Sequence, residues 1–211
     1  MVKEPKNITM DTRLMLLLHG HLGNEKVMWI LTKPIPENYI LLAPRAPVKM
    51  GQNQYSWHEI TPQWPDLETY QSITEKLLTQ ADLYVEENNL EINQYDVMGF
   101  SQGAAASYAV AMHYPHLVQG IAGLVGFLPM DCDDIAAAEP LAGMPIFMAV
   151  GKRDERIPYE RSLACAHTLH MAGADVDYHE YDMRHRLNAD AMRDLKTWWQ
   201  TQAEATAERR S

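Results

Sequence analysis

The sequence predicts a doubly wound α/β sheet, and three observations predict it. Six short runs rich in apolar residues end in glycine, proline or a polar turn. Between most of them lie longer segments with apolar residues at helical spacing. Strands and helices alternate along the chain, which requires crossover connections and therefore parallel pairing.

Each element has its own signal. RLMLLLHG, residues 13–20, is a continuous apolar run closed by glycine, as expected of a strand buried on both faces. YILLAP, 39–44, is a second run, stopped by proline. The segment 67–89 places Tyr70, Ile73, Leu77, Ala81 and Tyr84 near a 3.6-residue repeat, which predicts a helix. YDVMGF, 95–100, is a third strand, followed by the alanine-rich helix GAAASYAVAMHYP, 103–115. IAGLVGFLP, 121–129, and PIFMAVG, 145–151, are the fourth and fifth strands. A helix over 159–175 carries Gly173 as a C-cap candidate. VDYHEYD, 176–182, alternates in polarity, as expected near a sheet edge. The last helix, 188–205, opens on Asn188 as an N-cap candidate, and its polar stretch after Trp199 reads as a fraying end.

Composition narrows the class. The 211 residues, 46% hydrophobic and 22% charged, predict a single domain over 1–211 with an ample core. A net charge of −10 argues against a nucleic-acid partner and against docking on anionic membranes. The longest apolar stretch near the start, Leu14 to Leu18, is too short to span a bilayer, so no membrane insertion is expected. Cys132 and Cys165 have no CxxC spacing and read as reduced thiols; with no apolar leader, the expected location is cytoplasmic. No cofactor or metal is expected. His167 and His170 lack completing ligands, and the acidic DCDD cluster at 131–134 lacks calcium-loop spacing and reads as a solvated turn. A homodimer through exposed apolar residues is compatible with the sequence.

The chemistry begins at MGFSQGAAASYAV, 98–110. Ser101 sits between Gly99 and Gly103 in the G-x-S-x-G pattern, after a predicted strand and before a predicted helix. A nucleophile on so sharp a turn takes a strained backbone conformation, and flanking glycines relieve the crowding. The following helix aims its positive end at the developing oxyanion. An acid and a histidine should then follow on loops at the C-terminal ends of later strands. Asp154, three residues past Gly151, and His185, just past the last strand, lie there; Asp182 is the rival acid. Backbone donors for an oxyanion are expected from Gln102 and from the glycine loop HGHLGNE, either His21 or Leu22. His19 reads as a structural residue tying that loop. Trp29, Tyr55, Trp57, Phe127 and Met130 are loop residues suited to an acyl or alkyl chain, with Trp57, Phe127 and Met130 the substrate-contact candidates.

With HG followed by GNE, then GFSQGAA, GFLP, GKRDERIP and a late histidine, the chain resembles the phospholipase/carboxylesterase family of α/β-hydrolases. That family includes small carboxylesterases and acyl-protein thioesterases, and the likeness runs from about Leu14 to about Trp199. The resemblance implies the α/β-hydrolase fold without a large lid, with Ser101, Asp154 and His185 as triad. It implies hydrolysis of a small-molecule ester or thioester through an acyl-enzyme. Short to medium acyl chains are expected, since 129–145 is too short for a lid domain. A lysophospholipase, a lactone hydrolase, a peptidase or a non-catalytic binding protein on this fold are the alternatives. The chain departs from the family in three places. Val125 replaces a usual serine, the glycine loop is differently spaced, and Arg184 replaces the usual glycine before His185, with Arg186 after it.

Overall fold

The computed structural model describes residues 1–210, with side chains through Ala205. Its strands are β1 (Val2–Lys3), β2 (Arg13–Leu18), β3 (Tyr39–Leu42), β4 (Val48–Gly51), β5 (Gln54–Ser56), β6 (Tyr95–Phe100), β7 (Val118–Leu124), β8 (Pro145–Gly151) and β9 (Asp175–Tyr181). Its helices are α1 (Gln71–Glu87), α2 (Gln102–His113), α3 (Asp133–Ala136), α4 (Tyr159–Met171) and α5 (Ala189–Arg210). Seven strands form one sheet in the order β1-β3-β2-β6-β7-β8-β9, while β4 and β5 form a separate hairpin. All pairs in the large sheet are parallel except the short β1–β3 pair at one edge. The alternating strand β9 lies at the opposite edge, where one side of its backbone has no neighbouring strand.

Side-chain alternation splits the core into two layers. Leu14, Leu16 and Leu18 of β2 join the cluster that holds α1, α2 and α4. Met15 and Leu17 face the other way, into the cluster with Met28, Leu195 and Trp199. Helices therefore cover both faces, the arrangement that near-continuous apolar strands require. Asn188 caps α5 through Oδ1, which accepts from Ala191 N–H at 2.9 Å. Gly173 ends α4 with φ of +85°.

Four local features differ from the sequence-based expectation. The β4–β5 hairpin turns at Asn53, in the left-handed region at φ +58°; its segment has no apolar run to announce it. Strand β1 is two residues long and too short to carry a pattern. The DCDD cluster is not a bare turn but leads into one turn of helix, α3. The polar stretch after Trp199 is not frayed: α5 continues to Arg210, and the Gln202 carbonyl accepts from Arg13 Nη1 at 2.8 Å.

Arg13 also anchors the end of the sheet remote from Ser101. It forks onto Asp96, Nε to Oδ2 at 2.7 Å and Nη2 to Oδ1 at 2.6 Å, with the side chains 4% and 0% exposed. Removing one member of such a pair strands the other charge away from water. Arg13→Leu is therefore expected to lower stability by about 3–5 kcal/mol in urea unfolding. Adding Asp96→Leu to it should recover most of that loss.

Candidate active site

At the C-terminal end of β6 the chain reverses into α2 within one residue. Ser101 holds φ +56° and ψ −118°, outside the ordinary regions for a side-chain-bearing residue. Its amide donates to the Leu124 carbonyl at 2.8 Å, and its carbonyl accepts from Ala104 N–H at 2.9 Å. The flanking glycines are required by contact. A Cβ on Gly99 would overlap the Gly103 carbonyl, and one on Gly103 would overlap the Leu18 carbonyl. Helix α2 thus lies backbone-to-backbone against β2 and β6, with its N-terminus beneath Ser101.

Asp154 and His185 are brought to Ser101 by two loops joined through their backbones. Lys152 N–H donates to the Tyr181 carbonyl at 2.9 Å, and Arg153 N–H to the Met183 carbonyl at 3.0 Å. Gly151 leaves no room for a side chain against the Met183 and Arg184 carbonyls. As a result, His185 Nε2 lies 2.8 Å from Ser101 Oγ, and Nδ1 lies 2.8 Å from Asp154 Oδ2. The His185 and Asp154 side chains are only 6% and 3% exposed. Asp154 Oδ1 also accepts from the amides of Arg156 and Ile157, at 2.8 and 3.0 Å, which fixes the carboxylate. The Phe100 ring meets the imidazole edge-to-face at 5.3 Å. Asp182, the rival acid, instead pairs with Arg153 at 2.6 Å.

The glycine loop forms a turn over Ser101. Gly23 N–H donates to the Gly20 carbonyl at 2.9 Å, and Leu22 sits at φ +62°. Gly20 packs so closely that an added Cβ would stand 3.3 Å from Ser101 Cβ and 3.1 Å from Phe100. Among the described residues the amides of His21, Leu22 and Gln102 have no acceptor. Buried His19 ties the turn in both directions. Its Nε2 accepts from Ala46 N–H at 3.1 Å, so Nδ1 carries the proton and donates to the Gly20 carbonyl at 2.8 Å. Burial, above all, holds its pKa below the usual histidine value. Burial likewise lowers His21, helped by nearby His58 and Arg156.

A second set of contacts fixes the hairpin to this turn. Tyr55 N–H donates to the Gly23 carbonyl at 3.0 Å. The Gln102 side chain takes Trp57 N–H at 3.0 Å on Oε1 and donates from Nε2 to Ser56 Oγ at 2.9 Å. Trp57 itself is 1% exposed, and its indole N–H donates to the His19 carbonyl at 2.6 Å. The structure corrects its expected substrate contact: the ring supports the turn from below and offers no face to a ligand. Phe127 is buried too, edge-to-face with Trp64 at 4.7 Å and beneath the Arg161 guanidinium. Met130 is 44% exposed, and its Sδ lies 3.2 Å from Arg161 Nη1.

Phe100, whose ring meets the imidazole, also borders an open space walled by residues that carry no sequence signal. An apolar cleft of about 400 Å³ is bounded by Val27, Met28, Ile30, Leu31, Phe100 and Leu187. In that VMWIL run Trp29 is the one aromatic residue. The run is a single helical turn whose outer face is apolar, which periodicity over five residues cannot reveal. A charged cleft of about 550 Å³ adjoins His185 itself. Among the described residues, no three His, Cys, Asp or Glu side chains gather as metal ligands would. None of the described helices is long and apolar enough to cross a membrane.

Glu25 and Arg45 close the back of the glycine loop. The fork joins Nε to Oε2 at 2.7 Å and Nη2 to Oε1 at 2.6 Å, and Arg45 lies over the Tyr55 ring at 4.8 Å. The hydrogen bonds from Arg45 hold the Glu25 pKa down at about 2, against 4.5 ordinarily. A depressed carboxyl pKa contributes stability above the unfolded value and loses it as pH falls through the folded one. The stability advantage of the native chain over Glu25→Gln should be full above about pH 4.5 and fade towards pH 2. Urea midpoints of the two proteins across that range check it.

Comparison with known proteins gives the chain's family. Residues 3–203 match the phospholipase/carboxylesterase family. Acyl-protein thioesterase 1 of Yarrowia lipolytica is 25% identical over 207 residues, covering 89% of this chain and 90% of that protein. Acyl-protein thioesterase 1 of Mycosarcoma maydis is 25% identical over 228 residues, covering 92% of this chain and 93% of that protein. The Bacillus cereus carboxylesterase superposes with a TM-score of 0.84 at 23% identity, covering 96% of this chain and 93% of that one. With the family matched over nearly its whole length, the chain belongs to the phospholipase/carboxylesterase family and is a carboxylic ester hydrolase.

Proposed function

We propose that the protein hydrolyses carboxylic esters or thioesters of short to medium acyl chains through an acyl-enzyme on Ser101. The observation that carries this reading is the continuous relay Ser101–His185–Asp154, with both links at 2.8 Å. His185 Nε2 takes the Ser101 proton as Oγ attacks the carbonyl carbon. Asp154, already fixed by two amides, holds Nδ1–H and stabilises the imidazolium. The carbonyl oxygen becomes an oxyanion facing the amides of Gln102 and the 20–23 turn. His21 is the first choice there, because it follows Gly20, which packs directly on Ser101. His185 then returns the proton to the departing alcohol or thiol. A water repeats the sequence on the acyl-enzyme and releases the acid.

The acyl-length preference rests on the apolar cleft beside Phe100, whose space of about 400 Å³ suits a chain of modest length. Between Pro129 and Pro145 the chain forms only the short helix α3, and no inserted lid stands over the cleft.

Ser101→Ala should lower kcat/KM by about a thousandfold or more while the urea midpoint holds. A fluorophosphonate probe should label native Ser101 and leave the variant untouched. Unlabelled native protein would overturn the reading. A panel of p-nitrophenyl esters from acetate to dodecanoate should peak at short or medium chains, and a maximum at the long end would contradict the length assignment.

A further inference from the structure

The loop that carries His185 also carries two arginines without a carboxylate partner among the described residues, Arg184 and Arg186. Both residues are exposed, and both line the charged cleft together with Arg153 and His185. Arg186 also lines the apolar cleft, so it stands at the junction of the two spaces. The acids facing them are Glu155 and Asp182, and Asp182 is already engaged by Arg153. Three arginines against two carboxylates make this cleft a locally cationic spot on a chain whose net charge is −10. On a chain this acidic the cleft is a local attractor for anions, and His185 is among the residues that line it.

We infer that Arg184 and Arg186 form a docking point for an anionic group on the ester, which makes the preferred substrate an ester bearing one carboxylate or phosphate. This rests on the esterase reading of the site. The apolar part of the substrate lies along Phe100 and Leu187, and its charged end reaches Arg186 where the two clefts meet. Guanidinium pairs suit either anion because each presents planar, parallel N–H donors. The two residues act in binding and leave the proton transfers to His185.

Two matched pairs of esters test the inference. The p-nitrophenyl ester of hexanoate and the mono-p-nitrophenyl ester of adipate differ only in a terminal carboxylate on the acyl side. Hexanoylglycerol and its phosphate monoester differ only in a phosphate on the alcohol side. The readout is the ratio of kcat/KM, charged over neutral, which cancels any disturbance of His185 shared by both substrates. In Arg184→Gln/Arg186→Gln the ratio should fall about tenfold in one pair, which also tells which side carries the charge. Arg184→Lys/Arg186→Lys should keep part of it, and Lys76→Gln, on α1, should leave it unchanged. Raising salt from about 0.05 to about 0.5 M should raise KM for the charged member alone. A ratio within twofold of native in both pairs overturns the inference. If neither native nor variant protein cleaves any of the four esters, the esterase reading fails instead. Calorimetry with adipate then decides the docking point: binding lost in the glutamine variant supports it, and no difference between the two overturns it.

Discussion

The constraint on which the rest of the structure depends is the approach of α2 to the sheet at Gly103. No side chain separates the helix backbone from the Leu18 carbonyl, and Gly99 meets Gly103 in the same way. That closeness forces the chain to turn within one residue, and Ser101 absorbs the turn in a left-handed conformation. It also brings the end of β2, and with it the glycine loop, against the start of α2. Ser101 and the glycine turn are therefore neighbours because two backbones touch. The alanines that follow extend the same contact, since Ala104 fills the space beside Gly126 with nothing to spare.

Around this contact the polar groups form two linked assemblies. On one side, backbone bonds between the loops after β8 and β9 deliver Asp154 and His185 as a unit. On the other, His19, Glu25, Arg45, Gln102 and Trp57 hold the glycine turn to the hairpin. Gln102 belongs to both the proposed oxyanion site and its support. Its amide has no acceptor among the described residues, while its side chain clamps Ser56 and Trp57. This double duty gives a physical reason for glutamine to follow the nucleophile, because a shorter or purely apolar side chain could not make both bonds.

Much of this was legible in the letters. Parallel order follows from apolar runs alternating with helical segments, and the strand ends single out Ser101, Asp154 and His185, whose side chains lie within hydrogen-bond distance in a row. Those positions are set by topology, which sequence pattern reports well. The pocket walls were not legible. Trp57 and an exposed tryptophan carry the same letter, and the direction of its ring depends on the register of a hairpin with no apolar signature. The apolar cleft is lined by residues from one short turn, one strand end, the loop after β9 and α5, which meet only in three dimensions. Arg184 and Arg186 flank the histidine in the sequence, but the clefts they line have no signature there.

Val125, where the family commonly has serine, stands at φ +43° next to Leu124, the residue bonded to the Ser101 amide. Its amide is committed to the Ala149 carbonyl at 2.8 Å, and Leu124 before it accepts from Ser101 N–H, so the backbone there cannot relax. A β-branched side chain in the left-handed region costs about 1–3 kcal/mol. The molecule therefore carries an unspent reserve at this one position. A lineage, or an engineer, that replaces the valine by a residue at ease there gains headroom to absorb losses elsewhere. That headroom can absorb changes in the cleft wall while the touching backbones of β2, β6 and α2 stay as they are.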